Sequence, residues 1–318
     1  MRINLIAFMF PGQGSQYVGM GKDLAEKFPV FRDTLEMADD ALGESLSRLC
    51  FDGPEDDLRL TANTQPAVLA ISIAMYRLLE SRGVKPVLVA GHSLGEYSAH
   101  VAAGTLSFGD ALRIVRRRGS YMQEAVPVGT RAIAAIIGLD TRLVDQACKE
   151  SANGEIVSPA NMNAPGQVVI AGDTTAVARA GQRAKALGAR RVMALPVSAP
   201  FHCELMRPAQ KRLEPELRGI VVSDPNMPVI ANCDALPKKT AAEAVDALVN
   251  QVSAPVLWED VVRKMSSYGI KTCVEVGPGK VLTGLLKKID RAVTSWNVSD
   301  VSSFLEIEES LVSLSSKA

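Results

Sequence analysis

Histidine is scarce in this chain: only His92, His100 and His202 occur in 318 residues, so any chemistry that needs an imidazole has three candidates. The five cysteines (Cys50, Cys148, Cys203, Cys233, Cys273) are odd in number, scattered and free of C-x-x-C spacing. That pattern argues against a disulfide framework and a thiolate zinc site, and it fits a reducing cytosol. Net charge is missing too. The 35 basic and 35 acidic residues cancel, so overall charge would draw neither nucleic acid nor a membrane surface. No apolar run reaches the length of a membrane span. The first ten residues are too short and lack the cleavage pattern of a signal peptide; they read as a core strand entering a glycine turn. These absences leave a soluble, cytoplasmic chain, 47% hydrophobic and long enough to bury a full core in more than one structural unit.

Strand-like runs alternate with helical patterns: Ile3 to Phe10, helices to Leu49, a long helix opening at Pro66, and a strand at Pro86. Such alternation predicts a mostly parallel sheet flanked by helices. Thr64-Gln65-Pro66 reads as a helix start with proline in the first turn, and Ala67 to Leu79 is apolar nearly all round, as in a buried helix. From about Val128 to Ser198 the order becomes strand (131–139), helix (141–151), two strands (156–161, 167–171), helix (174–187) and strand (191–197). This is the ferredoxin-like β-α-β-β-α-β order. The expected fold is α/β, with a hydrolase-like core over 1–127 and 199–318 and a ferredoxin-like insert over 128–198. A cleft between the two is the natural substrate site.

Within the core, Pro86-Val-Leu-Val-Ala-Gly91-His92-Ser93-Leu94-Gly95-Glu96 places G-x-S-x-G between a buried strand and a helix-compatible segment. That is the sequence form of a nucleophile elbow, with glycines where the sharp turn leaves no room for side chains. A tight turn with an incidental serine has the same short pattern. An elbow serine needs a base. His92 is adjacent to Ser93 and should point away; His100 lies seven residues on, about 10 Å along a helix axis. His202, in a loop after an apolar run and a proline, remains as the base, although a lone loop histidine can also be simply solvated.

The helix expected over 108–125 offers a substrate clue. At 100° per residue, Ala111, Val115, Arg118 and Met122 share one stripe, while Arg113, Arg116 and Arg117 face solvent. An inward guanidinium needs an anion, and a carboxylate matches it best. That anion is either an internal Asp or Glu or the carboxylate of a substrate. The turn at Gly12-Gln13-Gly14 superficially suggests a dinucleotide site, but the glycine fingerprint is incomplete.

Several motifs in order resemble the malonyl-CoA:acyl carrier protein transacylases of type II fatty acid synthesis. They are Phe10-Pro-Gly-Gln-Gly-Ser-Gln16, Thr64-Gln-Pro-Ala67, Gly91-His-Ser-Leu-Gly-Glu96, Arg118-Gly119 with Met122-Gln123, Phe201-His202 and Glu275-Val-Gly-Pro-Gly-Lys280. The resemblance implies Ser93 as the acyl-carrying nucleophile, His202 as its base and Arg118 as the clamp on the malonyl carboxylate. It also implies oxyanion-hole amides at Gln13 and Leu94, and a Gln251 carbonyl holding the His202 ring. Phe201 and Met122 would border the acyl group, and Asn161 and Asn163 match positions near the thioester-bearing arm. The implied partners are malonyl-CoA and acyl carrier protein, with no nucleic acid, no membrane, no metal, no redox cofactor and a monomeric state. No Asp or Glu is placed as a triad acid, which points to a Ser-His pair oriented by main chain. Two other classes remain open on the sequence: a serine thioesterase or esterase, and a non-catalytic carrier-protein docking module.

Overall fold

The computed structural model describes residues 5–125, 131–195 and 200–315. Ten strands run in chain order: β1 (Ile6–Phe10), β2 (Leu88–Gly91), β3 (Arg131–Ile137), β4 (Val157–Ala164), β5 (Gln167–Asp173), β6 (Arg191–Ala194), β7 (Val229–Ile230), β8 (Pro237–Lys238), β9 (Thr272–Val276) and β10 (Thr294–Val298). They form a six-stranded sheet, β10-β9-β1-β2-β7-β8, and a four-stranded sheet, β4-β5-β3-β6. All pairs of the first sheet are parallel except β7 with β8 at one edge. The fold is therefore α/β, with a mostly parallel sheet and a separate antiparallel one.

The unbroken apolar runs of β1 and β2 follow from their central position. Ala7 to Phe10 and Leu88 to Ala90 are buried because helices cover both faces of a parallel sheet. Between these strands runs the helix Thr61–Ser81, buried from Thr64 to Tyr76. Its start corrects the sequence expectation: Pro66 lies inside the helix rather than in its first turn. Proline leaves the carbonyl four residues back without a donor. The preceding turn is held instead by the Asn63 and Thr64 amides on the Leu60 carbonyl, both 2.8 Å, and by Thr64 Oγ1 on the Leu58 carbonyl at 2.5 Å. Only one helical bond is lost, and five residues join the helix ahead of Pro66.

The four-stranded sheet is antiparallel throughout and shows the period of two expected of strands with two different neighbours. Ala134 and Ile136 face the helices Thr141–Ser151 and Thr174–Ala186, packing on Val144, Ala147, Val177 and Ala180. Ile133 and Ala135 face the other way, with Val169, Ala171, Phe201 and Cys203. Val256 ties this sheet to the rest: its amide donates to the Ala160 carbonyl at 2.8 Å, and its carbonyl accepts from Met162 at 2.9 Å. The expected unit boundaries near 128 and 198, and the end of the apolar run reaching Val197, lie outside the described residues. No helix among the described residues is long and apolar enough to cross a membrane.

One buried group carries a pH-dependent cost. His100 is fully buried in the helix Leu94–Ala102, neither ring nitrogen has a partner among the described residues, and burial pushes it down to about 3. The native state binds this proton far more weakly than the unfolded chain, whose imidazole titrates near 6.5. Stability from His100 is therefore complete above that pH and is lost as pH falls toward 3, by about 2 kcal/mol at pH 5. His100→Leu should consequently lose less of its melting midpoint than the parent between pH 8 and pH 5. Thermal scans at the two pH values check this, and parallel losses would refute it.

Candidate active site

The turn between β2 and the helix Leu94–Ala102 is as sharp as the elbow pattern requires. Ser93 sits at φ 52° and ψ −107°, a region that costs a side-chain-bearing residue about 1–3 kcal/mol and survives only where its surroundings enforce it. A Cβ on Gly91 would come within 1.9 Å of the Gly95 carbonyl, and one on Gly95 within 2.0 Å of the Phe10 oxygen. Glycine at both positions is thus a packing requirement. The turn is further tied down by the His92 amide on the Phe10 carbonyl at 3.0 Å and by the Ser93 amide on Asn232 Oδ1 at 2.6 Å. Gln13 follows β1 across this junction, and Gln13, Ser93 and Leu94 all border one cleft. Among the described residues, neither the Gln13 nor the Leu94 amide is engaged by another group, which leaves both able to donate toward a reacting oxygen.

The three histidines separate cleanly. His92 turns its Nε2 to Asn163 Oδ1 at 2.9 Å and packs its ring against Trp258. His100 is buried in the core. His202 places Nε2 2.7 Å from Ser93 Oγ and Nδ1 3.0 Å from the Gln251 carbonyl. A carbonyl can only accept, so Nδ1 carries the proton and Nε2 is left to take one from Ser93. Burial, followed by the charge of Arg118, pushes His202 down to about 3, keeping the imidazole neutral. Like Ser93, it has a positive φ, at 59°.

Arg118 lies on the buried stripe of the helix Phe108–Glu124, with 1% of its surface exposed. Nη1 donates to Gln65 Oε1 at 2.7 Å; Nη2 donates to Gln251 Oε1 at 2.9 Å and to Ser93 Oγ at 3.2 Å. The guanidinium also lies over the Tyr97 ring, 5.4 Å from its centre. Among the described residues no carboxylate forms an ion pair with it, and its Nε has no partner. Gly119 permits this placement, since a Cβ there would come within 2.7 Å of Ala62 Cα and the Thr61 oxygen. The two helices touch backbone to backbone, which brings Arg118 to Gln65. Of the arginines expected in solvent, Arg113 and Arg117 are about half-exposed and paired with Asp110 and Glu216. Arg116 differs: it is mostly covered and bound by Glu44 and Asn63, because the segment before the helix Leu46–Asp52 folds back over that face.

The cleft that holds Ser93, His202 and Arg118 is also bordered by Met122, Phe201, Asn161 and Asn163. Met122 Sδ accepts from Gln65 Nε2 at 3.8 Å, fixing the amide whose oxygen serves Arg118. Asn163 both borders the cleft and holds His92. The two glycines of the turn serve different ends: Gly12 makes a close approach, 2.4 Å from the His92 oxygen if it bore a Cβ, whereas Gly14 approaches nothing and is needed for its φ of 99°.

Four residues of the site were not assigned from sequence. Gln65 carries Arg118; Tyr97 stacks on it; Asn232 and Glu96 brace the elbow from behind. Gln251 does more than offer a carbonyl: its side chain joins Ser93, Glu96 and Arg118. A polar residue inside an otherwise apolar helix was the available signal for Gln65. Asn232 had none, being one asparagine in a loop.

The chain matches the acyl transferase domain family over residues 7–304. It is similar to the malonyl CoA-acyl carrier protein transacylase of Escherichia coli (strain K12), at 51% identity over 91% of this chain and 94% of that protein. A relative of the same description in Bacillus subtilis (strain 168) is 46% identical over 93% of each chain. Among solved structures, a malonyl-transacylase in complex with a type II PKS acyl-carrier protein superimposes with a TM-score of 0.94 at 48% identity, covering 96% of this chain and 99% of that one. An acyl carrier protein S-malonyltransferase from Vibrio cholerae gives 0.93 at 47% identity, covering 95% and 99%.

Proposed function

This chain belongs to the acyl transferase domain family, and from that membership we propose that it is a malonyl-CoA:acyl carrier protein S-malonyltransferase working through a malonyl-serine intermediate. The observation that carries the substrate choice is Arg118, a buried guanidinium without a carboxylate partner among the described residues, 3.2 Å from the Ser93 oxygen. A charge so placed is matched by an acyl group that brings its own carboxylate.

In the first half-reaction His202 Nε2 takes the Ser93 Oγ proton as Oγ attacks the thioester carbon. The carbonyl oxygen becomes an oxyanion between the Gln13 and Leu94 amides. The carbon–sulfur bond then breaks as His202 passes that proton to the departing sulfur, so CoA leaves as the thiol and the imidazole is neutral again. In the second half-reaction the phosphopantetheine thiol of the carrier protein gives its proton to His202 and attacks the ester carbon. Serine is released and recovers the proton. The Gln251 carbonyl holds the His202 ring through both halves, in the place of a triad carboxylate. Both halves are redox-neutral and exchange only acyl groups and protons, so we assign no metal or redox cofactor to them.

Phe201 and Met122 border the space for the acyl α-carbon, and Asn161 and Asn163 the route of the thioester arm. We read the chain as a cytoplasmic monomer. The deciding experiment is intact mass after brief exposure to malonyl-CoA and, separately, to acetyl-CoA. Malonyl-CoA should add one malonyl group that carrier protein then removes as malonyl carrier protein. Release of free malonate at the transfer rate would favour a thioesterase, and the absence of any adduct a docking module.

A further inference from the structure

Glu96 is a buried carboxylate at the back of the elbow, and nothing in the transfer steps uses it. It is fully buried in the first turn after Ser93, where a helix N-terminus favours negative charge. Its Oε2 accepts from the Asn232 amide at 2.9 Å and from Gln251 Nε2 at 2.8 Å. Both are N–H donors, which an ionised carboxylate satisfies. Burial raises the Glu96 carboxyl, and the two N–H bonds, together with the Arg118 charge, limit that rise to about 7.

The Gln251 amide has a donating and an accepting end, and both are engaged. Nε2 faces two acceptors, Glu96 Oε2 and the Ser93 carbonyl at 2.9 Å; Oε1 faces Arg118 Nη2 at 2.9 Å. Turning the amide over would set N–H against N–H at Arg118 and oxygen against oxygen at Glu96. The same carboxylate reaches the elbow by a second route, since Asn232 accepts from the Ser93 amide at 2.6 Å and donates to the Gly91 carbonyl at 2.7 Å. We propose that the Glu96 carboxylate is a positioning residue for the arginine clamp: it fixes the Gln251 amide, which sets the Arg118 fork and hence the preference for an acyl group carrying a carboxylate.

This inference rests on the clamp reading above, and the test separates the two. Specificity constants for malonyl-CoA and acetyl-CoA are measured for the parent, Glu96→Gln and Glu96→Ala, with intact mass of Ser93 and melting curves alongside. Charge-assisted hydrogen bonds are roughly twice as strong as neutral ones, and the new amide can also turn. Glu96→Gln should therefore narrow the malonyl-to-acetyl ratio about fivefold or more while Ser93 is still acylated; Glu96→Ala should narrow it further. In an Arg118→Ala background Glu96→Gln should not change the ratio again, since residues acting through one contact are not additive. An unchanged ratio in Glu96→Gln, with both thioesters falling alike and the melting midpoint lowered, overturns the inference and leaves Glu96 as scaffold. A parent that does not prefer malonyl-CoA overturns the clamp reading itself. If Glu96→Ala does not fold, the isosteric Glu96→Gln and its double variant decide alone.

Discussion

Ser93→Ala should give no malonyl adduct and no transfer to carrier protein, because among the described residues it is the Ser93 hydroxyl that is hydrogen-bonded to the His202 ring, at 2.7 Å. His202→Ala should retain the nucleophile but slow its acylation by about six orders of magnitude, the scale for losing the base of a serine nucleophile. The effect is large because a serine hydroxyl is almost un-ionised near neutral pH and attacks only as its proton leaves. The structure makes His202 hard to replace. Its Nε2 lies 2.7 Å from Ser93 Oγ, and both other imidazoles are committed elsewhere, His92 to Asn163 and His100 to the core. Stopped-flow thiol release and intact mass measure acylation directly. Near-parent rates in either variant, with the fold intact by melting curve, would remove Ser93 and His202 from the mechanism.

Arg118→Ala should lose malonyl transfer by about 3 kcal/mol or more, a factor above a hundred, because the substrate carboxylate would be buried without a partner. Acetyl-CoA presents no carboxylate and should react as well as with the parent or better. A further cause acts in the same direction: the Arg118 charge is one of the influences that hold His202 low, and its removal leaves a stronger base. Arg118→Lys should rescue malonyl transfer poorly, since an ammonium cannot span Gln65 and Gln251 while meeting a carboxylate along a planar edge. Specificity constants for both thioesters, with a melting curve, check the result. Parallel loss of both substrates with a lowered midpoint would mean that Arg118 only holds the helices together.

The parts legible in the sequence share a physical feature, which is that local sequence order reports them. The elbow is a five-residue pattern whose glycines are demanded by contacts between near neighbours, such as Gly91 against Gly95. The inward phase of Arg118 follows from helical geometry, and the helix Thr141–Ser151 from its own period and cap. Errors arose where distant chain supplied what the local pattern lacked. Glu44 covers Arg116 on a face that helical phase alone assigns to solvent, while ahead of Pro66 a cap formed with the Leu58 and Leu60 carbonyls, which the hydrophobic period does not report, extends the helix.

By itself, then, the sequence determined the strand–turn–helix around Ser93, the buried stripe bearing Arg118 and, by elimination among three histidines, which imidazole lies beside Ser93. These depend on spacing within one element or on scarcity within the chain. Only the tertiary structure decided how those pieces are held. Ser93, Arg118, His202, Gln65, Asn232 and Gln251 come from six separate segments, and the hydrogen bonds joining them span 25 to 158 residues. Such bonds form because buried polar groups must find partners once water is excluded, and which partners they find is settled by packing. That is why the Gln251 side chain and Glu96, unremarkable in a linear reading, stand behind both the nucleophile and the clamp.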